Sequence, residues 1–326
     1  NHEMAINMIN CMPVIVDTDL HYQPCMEKII DAITQHTKAI VTVSPNNPSG
    51  AVYEKKVLEE INKLCKEKGI YHISDEAYEY FTFGDVNHFS PGSIANSSDY
   101  TISLYSLSKA YGFASWRIGY MVIPQHLSLS IKKAQDTYLI CPTRIAQEAA
   151  IMALEVGNKY TKEYLNKIEN IRNKLYSQLT AINNICTTPL TMGAFYFLIK
   201  LKTQLTGIEI VDKLIKKYKI AVIPGEAFGM NDGDPPEILK RNVVLRKCAE
   251  ELIELACVLI KQANKSDKDY TKKTGKDLIL GFGDAPQGTH TIRPATYKYR
   301  ALKTTNGINV VVHTTIQLPN LVERGL

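Results

Sequence analysis

The sequence has few of the features that mark specialised classes of protein. No apolar run reaches the roughly 18 residues that a membrane-spanning helix needs, so no membrane partner is predicted, and we expect no signal peptide. None of the seven cysteines forms a Cys-x-x-Cys pair, which argues against a zinc ribbon and a disulfide scaffold. Such thiols are typical of reduced core cysteines, and a cytoplasmic location is therefore predicted.

The sequence also lacks an excess of charge of one sign. Its 38 Lys and Arg against 33 Asp and Glu give a net charge of +5, and its 45% of hydrophobic residues is ordinary for a globular protein. This balance excludes a disordered chain and a polybasic arm, so no nucleic-acid partner is predicted. The eight histidines show no metal-ligand spacing, and no metal is predicted.

The first 124 residues alternate between β-rich runs and amphipathic helical stretches. A nearly continuous apolar run at 38–43 is typical of a buried strand in a parallel sheet. A helix with one apolar face is predicted over 54–68, and further strands are predicted at 13–16 and 70–74. Strands separated by helices predict an α/β domain with a mostly parallel sheet.

The 326 residues are enough for about two domains. We assign residues 1–182 to a large domain. Residues 183–263 have a shorter β–α–β pattern that predicts a smaller α+β domain. Residues 264–326 begin with a run rich in Lys and Asp, which is typical of a solvated linker, and we assign them to a linker and a tail of unknown origin.

Three polar clusters follow predicted strands, at the carboxyl ends where open α/β sheets bind ligands. They occupy residues 47–50, 74–78 and 106–119. Taken singly, each has an ordinary structural explanation, namely an Asn-Pro turn, a helix N-cap and a solvated lysine. The informative feature is therefore their combination: an Asn-Pro-Ser-Gly turn, then a strand-end Asp-x-x-Tyr, then a Ser-x-x-Lys followed eight residues later by Arg.

This combination resembles the class I pyridoxal-phosphate-dependent aminotransferases, which have the aspartate aminotransferase fold (fold type I). The resemblance extends over residues 1–230 and more weakly to 263, and it includes the runs at 193–196 and 226–229. It implies a three-layer αβα large domain with a mostly parallel sheet, which binds the cofactor, and a smaller α+β C-terminal domain.

The resemblance implies pyridoxal 5'-phosphate as cofactor and assigns its chemistry to Lys109 and Asp75. Lys109 would form the Schiff base and then carry the proton between the substrate Cα and the cofactor. Asp75 would pair with the pyridine nitrogen and keep it protonated, so that the ring withdraws electrons. The resemblance further implies five cofactor-binding side chains: Asn47 and Tyr78 at the phenolic oxygen, and Ser106, Ser108 and Arg117 at the phosphate.

The resemblance also implies parts that this sequence does not contain. The family fold begins roughly a hundred residues before Asn1, so we expect a large domain truncated at its N-terminus and lacking the first phosphate-binding loop. The aromatic residue that stacks on the ring precedes an Asn-His pair in the family, which implies that His2 lies beneath the catalytic residues. The substrate carboxylate would be bound by Arg241 or Arg246, of which Arg241 fits better by position.

The function that follows from the resemblance is transfer of an amino group between an amino acid and a 2-oxo acid by a ping-pong cycle. Two alternatives stay open. Another reaction of fold type I, such as β-elimination or decarboxylation, would use the same Lys109 and Asp75. A non-catalytic, truncated remnant is the second alternative. The family builds its site at a subunit interface, which implies a homodimer for the full-length protein.

Overall fold

The computed structural model describes residues 2–203, 205–230, 240–245, 302–303 and 309–313. Within these ranges, ten strands form two sheets. Their bounds, from β1 to β10, are Ala39–Val43, Tyr71–Asp75, Thr101–Ser106, Gly119–Val122, Cys186–Thr187, Phe197–Lys202, Ile223–Pro224, Lys240–Leu245, Leu302–Lys303 and Asn309–His313. The helices, from α1 to α8, are His2–Met8, Met26–Ala32, Lys55–Lys68, Leu107–Ala110, Ser128–Tyr138, Arg144–Val156, Asn158–Ala181 and Gly207–Tyr218.

The larger sheet has six strands in the order β1-β2-β3-β4-β10-β9. Strands β1, β2 and β3 are parallel, and β4 reverses direction against β3. Helix α3 connects β1 to β2 and packs against both strands. The sheet thus has the parallel part that the sequence predicts, at β1–β3, with a helix packed against it. Strand β10 extends the sheet as an antiparallel neighbour of β4, although it comes from the predicted tail.

The smaller sheet has four antiparallel strands in the order β5-β6-β8-β7. Leu214 of helix α8 and Leu179 near the end of α7 are buried in one cluster with Ile199 of β6. Helix α8 begins with a capping box, in which Thr206 and Glu209 satisfy each other's backbone N–H groups. These elements have the smaller α+β character that the sequence predicts, whereas the domain boundaries themselves stay a prediction.

Helix α3 shows how closely the apolar pattern specifies an element. Leu58, Ile61 and Cys65 are buried on its inner face, and Gly69 ends it in the left-handed conformation at φ 65°. The predicted strand at 13–16 is wrong, because these residues form no strand and Val14 and Ile15 are exposed. Its β propensity is not realised, since no neighbouring strand pairs with it.

The cysteines are free thiols wherever the structure describes them. Cys65 and Cys186 are buried, in agreement with the predicted core role, and burial raises the pKa of Cys65 to about 12. Cys11 is exposed, which corrects that prediction for this residue. Cys248 and Cys257 lie outside the described residues. Within the described ranges, no helix is long and apolar enough to cross a membrane, and no cluster of three potential metal ligands occurs.

A buried polar network ties α3 to the parallel strands. His72 is fully buried, and its Nδ1 accepts a hydrogen bond from the Asn62 amide at 3.2 Å. The ring proton therefore lies on Nε2, which is 3.0 Å from the Thr42 hydroxyl. The Asn62 amide also donates to Thr101 at 2.8 Å, so one helix side chain links all three strands. Burial lowers the pKa of His72 to about 4, and the ring stays neutral.

We expect His72 to make the fold sensitive to acid. Its stabilising contribution is complete above pH 6.5, where the unfolded chain is also neutral, and it is lost as the pH falls toward 4. Between pH 7 and 4.5 the free energy of unfolding should fall by roughly 2–3 kcal/mol from this group alone. Urea unfolding at both pH values measures this loss of stability in the wild type and in His72→Gln, whose side chain cannot titrate. An equal loss in both proteins would contradict the assignment.

Candidate functional site

The ends of the parallel strands bring the three predicted clusters to one edge of the larger sheet. Val43 pairs with Asp75, and Asp75 pairs with Leu104, so the strands end at nearly the same level. Ser106 at the end of β3 pairs with Gly119 at the start of β4. The turn after β1, the end of β2 and both sides of the β3–β4 connection therefore share this edge, as the sequence predicts.

Asp75 is the last residue of β2, and its carboxylate is held from two sides. Oδ1 accepts the backbone N–H of Ala77 at 3.1 Å, and Oδ2 lies 2.7 Å from Nε2 of His2. Helix α1 thus places His2 directly on the strand-end acid, where the resemblance implies it. Both side chains are partly exposed, and the two contacts fix the orientation of the carboxylate.

Tyr78 lies three residues after Asp75, and its ring is buried. Its hydroxyl is hydrogen-bonded by the Asn47 side chain and lies 2.5 Å from the hydroxyl of Tyr196. Burial and the nearby Tyr196 raise the pKa of the Tyr78 hydroxyl. Asn47 lowers this pKa, but its effect is smaller, so the hydroxyl keeps its proton at ordinary pH. Oδ1 of Asn47 is buried without a hydrogen-bond partner among the described residues, so an acceptor remains for a bound molecule.

Lys109 lies in the short helix α4, which follows β3 immediately. Its side chain is exposed, and Nζ lies 5.8 Å from the centroid of the Tyr78 ring. The hydroxyl of Ser106 accepts the backbone N–H of Ser108 at 3.2 Å and caps this helix. A primary amine therefore reaches the same edge as the carboxylate of Asp75, on the side of the Tyr78 ring.

Arg117 precedes β4 and adopts the left-handed backbone conformation at φ 54°. One of its guanidinium nitrogens donates to the carbonyl oxygen of Ala114. Two residues on, Gly119 lets the returning chain approach β3 closely, because a Cβ there would lie 2.5 Å from the Tyr105 carbonyl oxygen. This contact holds the chain that follows Arg117 against the end of β3, where Gly119 pairs with Ser106.

The two candidates for the substrate carboxylate differ in what the structure describes. Arg241 lies on β8 of the smaller sheet, where its backbone pairs with Leu201. Arg246 lies outside the described residues. Strand β8 is the direct neighbour of β6, which begins one residue after Tyr196.

A second acid next to Asp75 was missed by the reading of the sequence. Glu76 is fully buried, and its carboxylate accepts hydrogen bonds from His88 at 2.7 Å and Ser90 at 2.9 Å. Burial raises the pKa of Glu79 to about 8, and the charge of Glu76 adds to this effect. The hydrogen-bonded carboxylate of Glu76 thus supports the turn that carries Tyr78. In the sequence, the only indication of this second acid was that Glu directly follows Asp.

Tyr196 is the other residue that sequence reasoning missed. Its segment was noted as part of the family resemblance, but no pattern links it to Tyr78, which is 118 residues earlier. The assembled edge offers an amine, an oriented carboxylate, a guanidinium and a pair of hydroxyls. An amine can bond covalently to a carbonyl carbon, a carboxylate can stabilise a cationic ring nitrogen, and a guanidinium fork suits a phosphate.

We expect Gly119→Ala to destabilise the protein through the close approach to β3. The added methyl group would meet backbone rather than a flexible side chain, and the cost should be about 3 kcal/mol. Gly112→Ala is the control, since no atom lies near its Cβ and only its φ of +68° opposes a side chain, at about 1 kcal/mol. Urea unfolding measures both. Equal destabilisation would show that steric contact at Gly119 is unimportant.

Comparison with known proteins identifies the family of the chain. Residues 1–263 match the family described as aminotransferase class I and II. The chain is 36% identical over 217 residues to a probable aspartate/prephenate aminotransferase of Aquifex aeolicus, covering 64% of this chain and 54% of that protein. It is 32% identical over 230 residues to an aspartate aminotransferase of Pyrococcus abyssi, covering 69% and 59%. The chain thus spans little more than half the length of these relatives.

Solved structures show the same fold. A single mutant of Thermus thermophilus aspartate aminotransferase matches with a TM-score of 0.66 and 29% identity, covering 77% of this chain and 64% of that one. An aromatic aminotransferase of Pyrococcus horikoshii matches with a TM-score of 0.66 and 28% identity, covering 79% and 68%. The architecture built around the strand ends is therefore that of fold type I.

Proposed function

Because the chain belongs to the class I and II aminotransferase family, we propose that it moves an amino group between an amino acid and a 2-oxo acid with pyridoxal 5'-phosphate as cofactor. The observation that carries the proposal is the meeting of Lys109, Asp75 and the Asn47–Tyr78 pair at one edge of the parallel strands. The aminotransferase names of the relatives support transfer rather than β-elimination or decarboxylation, which would use the same residues.

The residues at the edge fit this cofactor. When bound, pyridoxal 5'-phosphate supplies an aldehyde that takes up an amine and a ring that withdraws electrons from the substrate Cα. Asp75 would hold a proton on the ring nitrogen, and its contact with His2 keeps the carboxylate in one orientation. Asn47 has a buried amide with an atom that lacks a partner among the described residues, and its N–H group would donate to the ring oxygen beside the hydroxyl of Tyr78.

Lys109 has two tasks in this proposal. Its amine would hold the cofactor covalently, and when the substrate amine takes that place, the freed amine would move the proton between the substrate Cα and the cofactor. Helix α4 suits both tasks, because it is anchored by Ser106 at the end of a sheet strand while the amine itself is exposed.

The phosphate would be held where β3 ends and β4 begins. Arg117 can present two parallel N–H groups to phosphate oxygens, which an ammonium group cannot do. Ser106 uses its oxygen to accept from the backbone of Ser108, so its own proton is available to a phosphate oxygen. Ser108 lies next to this position and would assist.

The substrate carboxylate is assigned to Arg241, with Arg246 as the other candidate. The position of Arg241 on β8, next to the strand that follows Tyr196, supports this choice. We further propose a homodimer and a cytoplasmic location for the full-length protein. Large apolar side chains on α5 and α6 support the dimer, since Tyr138, Ile145 and Met152 are each more than half exposed.

Lys109→Ala is expected to abolish the visible absorbance band that forms when pyridoxal 5'-phosphate is added to the chain. The band depends on the covalent link, and amino transfer should fall by about 10²–10⁴-fold because the proton carrier is also lost. Lys133 is an exposed lysine on α5, and Lys133→Ala is the matched control. This variant should keep both the absorbance band and amino transfer.

Product analysis on the same proteins separates the alternatives. Transamination requires a 2-oxo acid acceptor, whereas β-elimination releases pyruvate and ammonia without one, and decarboxylation releases carbon dioxide. A band without any reaction would support the remnant, and a wild-type chain that forms no Lys109-dependent band would refute the cofactor assignment.

Asp75→Asn is expected to reduce amino transfer far more than cofactor affinity. The amide keeps the shape of the side chain but cannot stabilise a charged ring nitrogen, so the rate should fall by about 10²–10³-fold. The dissociation constant of pyridoxal 5'-phosphate should rise by only about tenfold. Spectral titration and single-turnover rates measure the two effects, with Asp85→Asn as an exposed control. Equal losses in rate and affinity would contradict the electronic role of Asp75.

A further inference from the structure

The contact between Tyr78 and Tyr196 joins the cofactor edge to the start of the smaller sheet. Their hydroxyl oxygens are 2.5 Å apart, and their rings meet edge to face with centroids 5.5 Å apart. Tyr196 directly precedes β6 and belongs to neither the predicted cofactor residues nor the predicted substrate residues. The proposed function therefore assigns no role to this short contact between the two hydroxyl groups.

The backbone before Tyr196 is held by the same segments that carry Asn47 and Tyr78. The N–H of Gly193 donates to the carbonyl of Gly50 at 2.8 Å, in the turn that contains Asn47. The N–H of Ala194 donates to the carbonyl of Phe81 at 2.8 Å, three residues after Tyr78. The position of Tyr196 relative to both residues is thus set by backbone hydrogen bonds.

The chain at Gly193 packs closely against the neighbouring segments. A Cβ at Gly193 would lie 2.6–3.0 Å from atoms of Val52, Pro45 and Phe81, so the segment runs in direct contact with the turn and the chain after Tyr78. Such contacts leave the segment little room to shift. The hydroxyl of Tyr196 is therefore presented to Tyr78 by a tightly packed backbone and not by a loose loop.

The hydroxyl of Tyr78 has one proton to donate and two lone pairs to accept with. Oδ1 of Asn47 has no partner among the described residues, so the interaction of Asn47 with this hydroxyl uses the amide N–H, which occupies one lone pair. If Tyr78 gave its proton to Tyr196, none would remain for the cofactor's ring oxygen. If Tyr196 gives its proton instead, the Tyr78 proton is available to that oxygen.

We propose that Tyr196 is a positioning residue that donates its hydroxyl proton to Tyr78 and thereby directs the Tyr78 proton to the ring oxygen of pyridoxal 5'-phosphate. The proposal rests on the proposed function. Hydrogen bonds in series strengthen one another, so Tyr78 becomes a better donor when Tyr196 donates to it. A stronger bond to the ring oxygen stabilises the negative charge there and lowers the proton affinity of the nitrogen that links Lys109 to the cofactor.

The test is a pH titration of the visible absorbance of the cofactor-loaded chain. Tyr196→Phe removes only the hydroxyl and should raise the proton affinity of the link about threefold, moving the midpoint upward by about 0.5 pH. Tyr78→Phe should move the midpoint further in the same direction. In the double variant, Tyr196→Phe should add nothing, because it acts through the Tyr78 hydroxyl.

Tyr80→Phe is the matched control. Tyr80 forms another pair of tyrosine hydroxyls, 2.8 Å from Tyr111, with rings that also meet edge to face. The control loses a comparable hydrogen bond outside the proposed path and should leave the midpoint unchanged. A shift of equal size in Tyr80→Phe would show that loss of packing, not the position of Tyr196, moves the midpoint.

The remaining outcomes also decide the question. A downward shift in Tyr196→Phe would mean that Tyr78 donates to Tyr196, and an unchanged midpoint or an additive double variant would mean that Tyr196 does not act through Tyr78. Each of these overturns the role of Tyr196 while a Lys109-dependent band still supports the proposed function. Absence of that band from the wild-type chain would overturn both.

Discussion

The parallel pairing of β1, β2 and β3 is the constraint on which the site depends. Parallel strands in register end at one edge, so residues far apart in the chain arrive together without any contact between their own side chains. The reversal at Gly119 adds Arg117 to the same edge, because the antiparallel β4 begins where β3 ends. The amine of Lys109 and the carboxylate of Asp75 are therefore placed by the backbone ladder.

Buried polar groups keep this ladder in place. Asn62 and His72 connect α3 to the three parallel strands, and both have hydrogen-bond partners that offset the loss of water. Glu76 serves the turn after β2 in the same way, with His88 and Ser90 as partners. Because such networks are costly when one member loses its partner, they specify how the strands and helices fit. Contacts outside the site thus help to place the segments that carry its residues.

The three clusters illustrate how far sequence reasoning reached. Each is a short run of neighbouring residues at the end of an apolar strand, so its composition and its place in the element are both visible in the chain. The strand at 13–16 was predicted from equally local signals and is wrong, because a strand needs a partner that local signals do not supply. Glu76 was overlooked since burial of an acid depends on partners 12 and 14 residues away.

By itself the sequence determined the type of fold and the family, and its motifs predicted Lys109, Asp75 and Arg117 as site residues, because hydrophobic periodicity and short motifs are local properties of a chain. Only the tertiary structure decided which groups touch. The contacts of His2 with Asp75 and of Tyr196 with Tyr78 span 73 and 118 residues, and no spacing rule encodes them. The first depends on where α1 places His2 relative to the end of β2. The second depends on the backbone hydrogen bonds that hold the chain before β6 against the segments of Asn47 and Tyr78, and both depend on the whole fold.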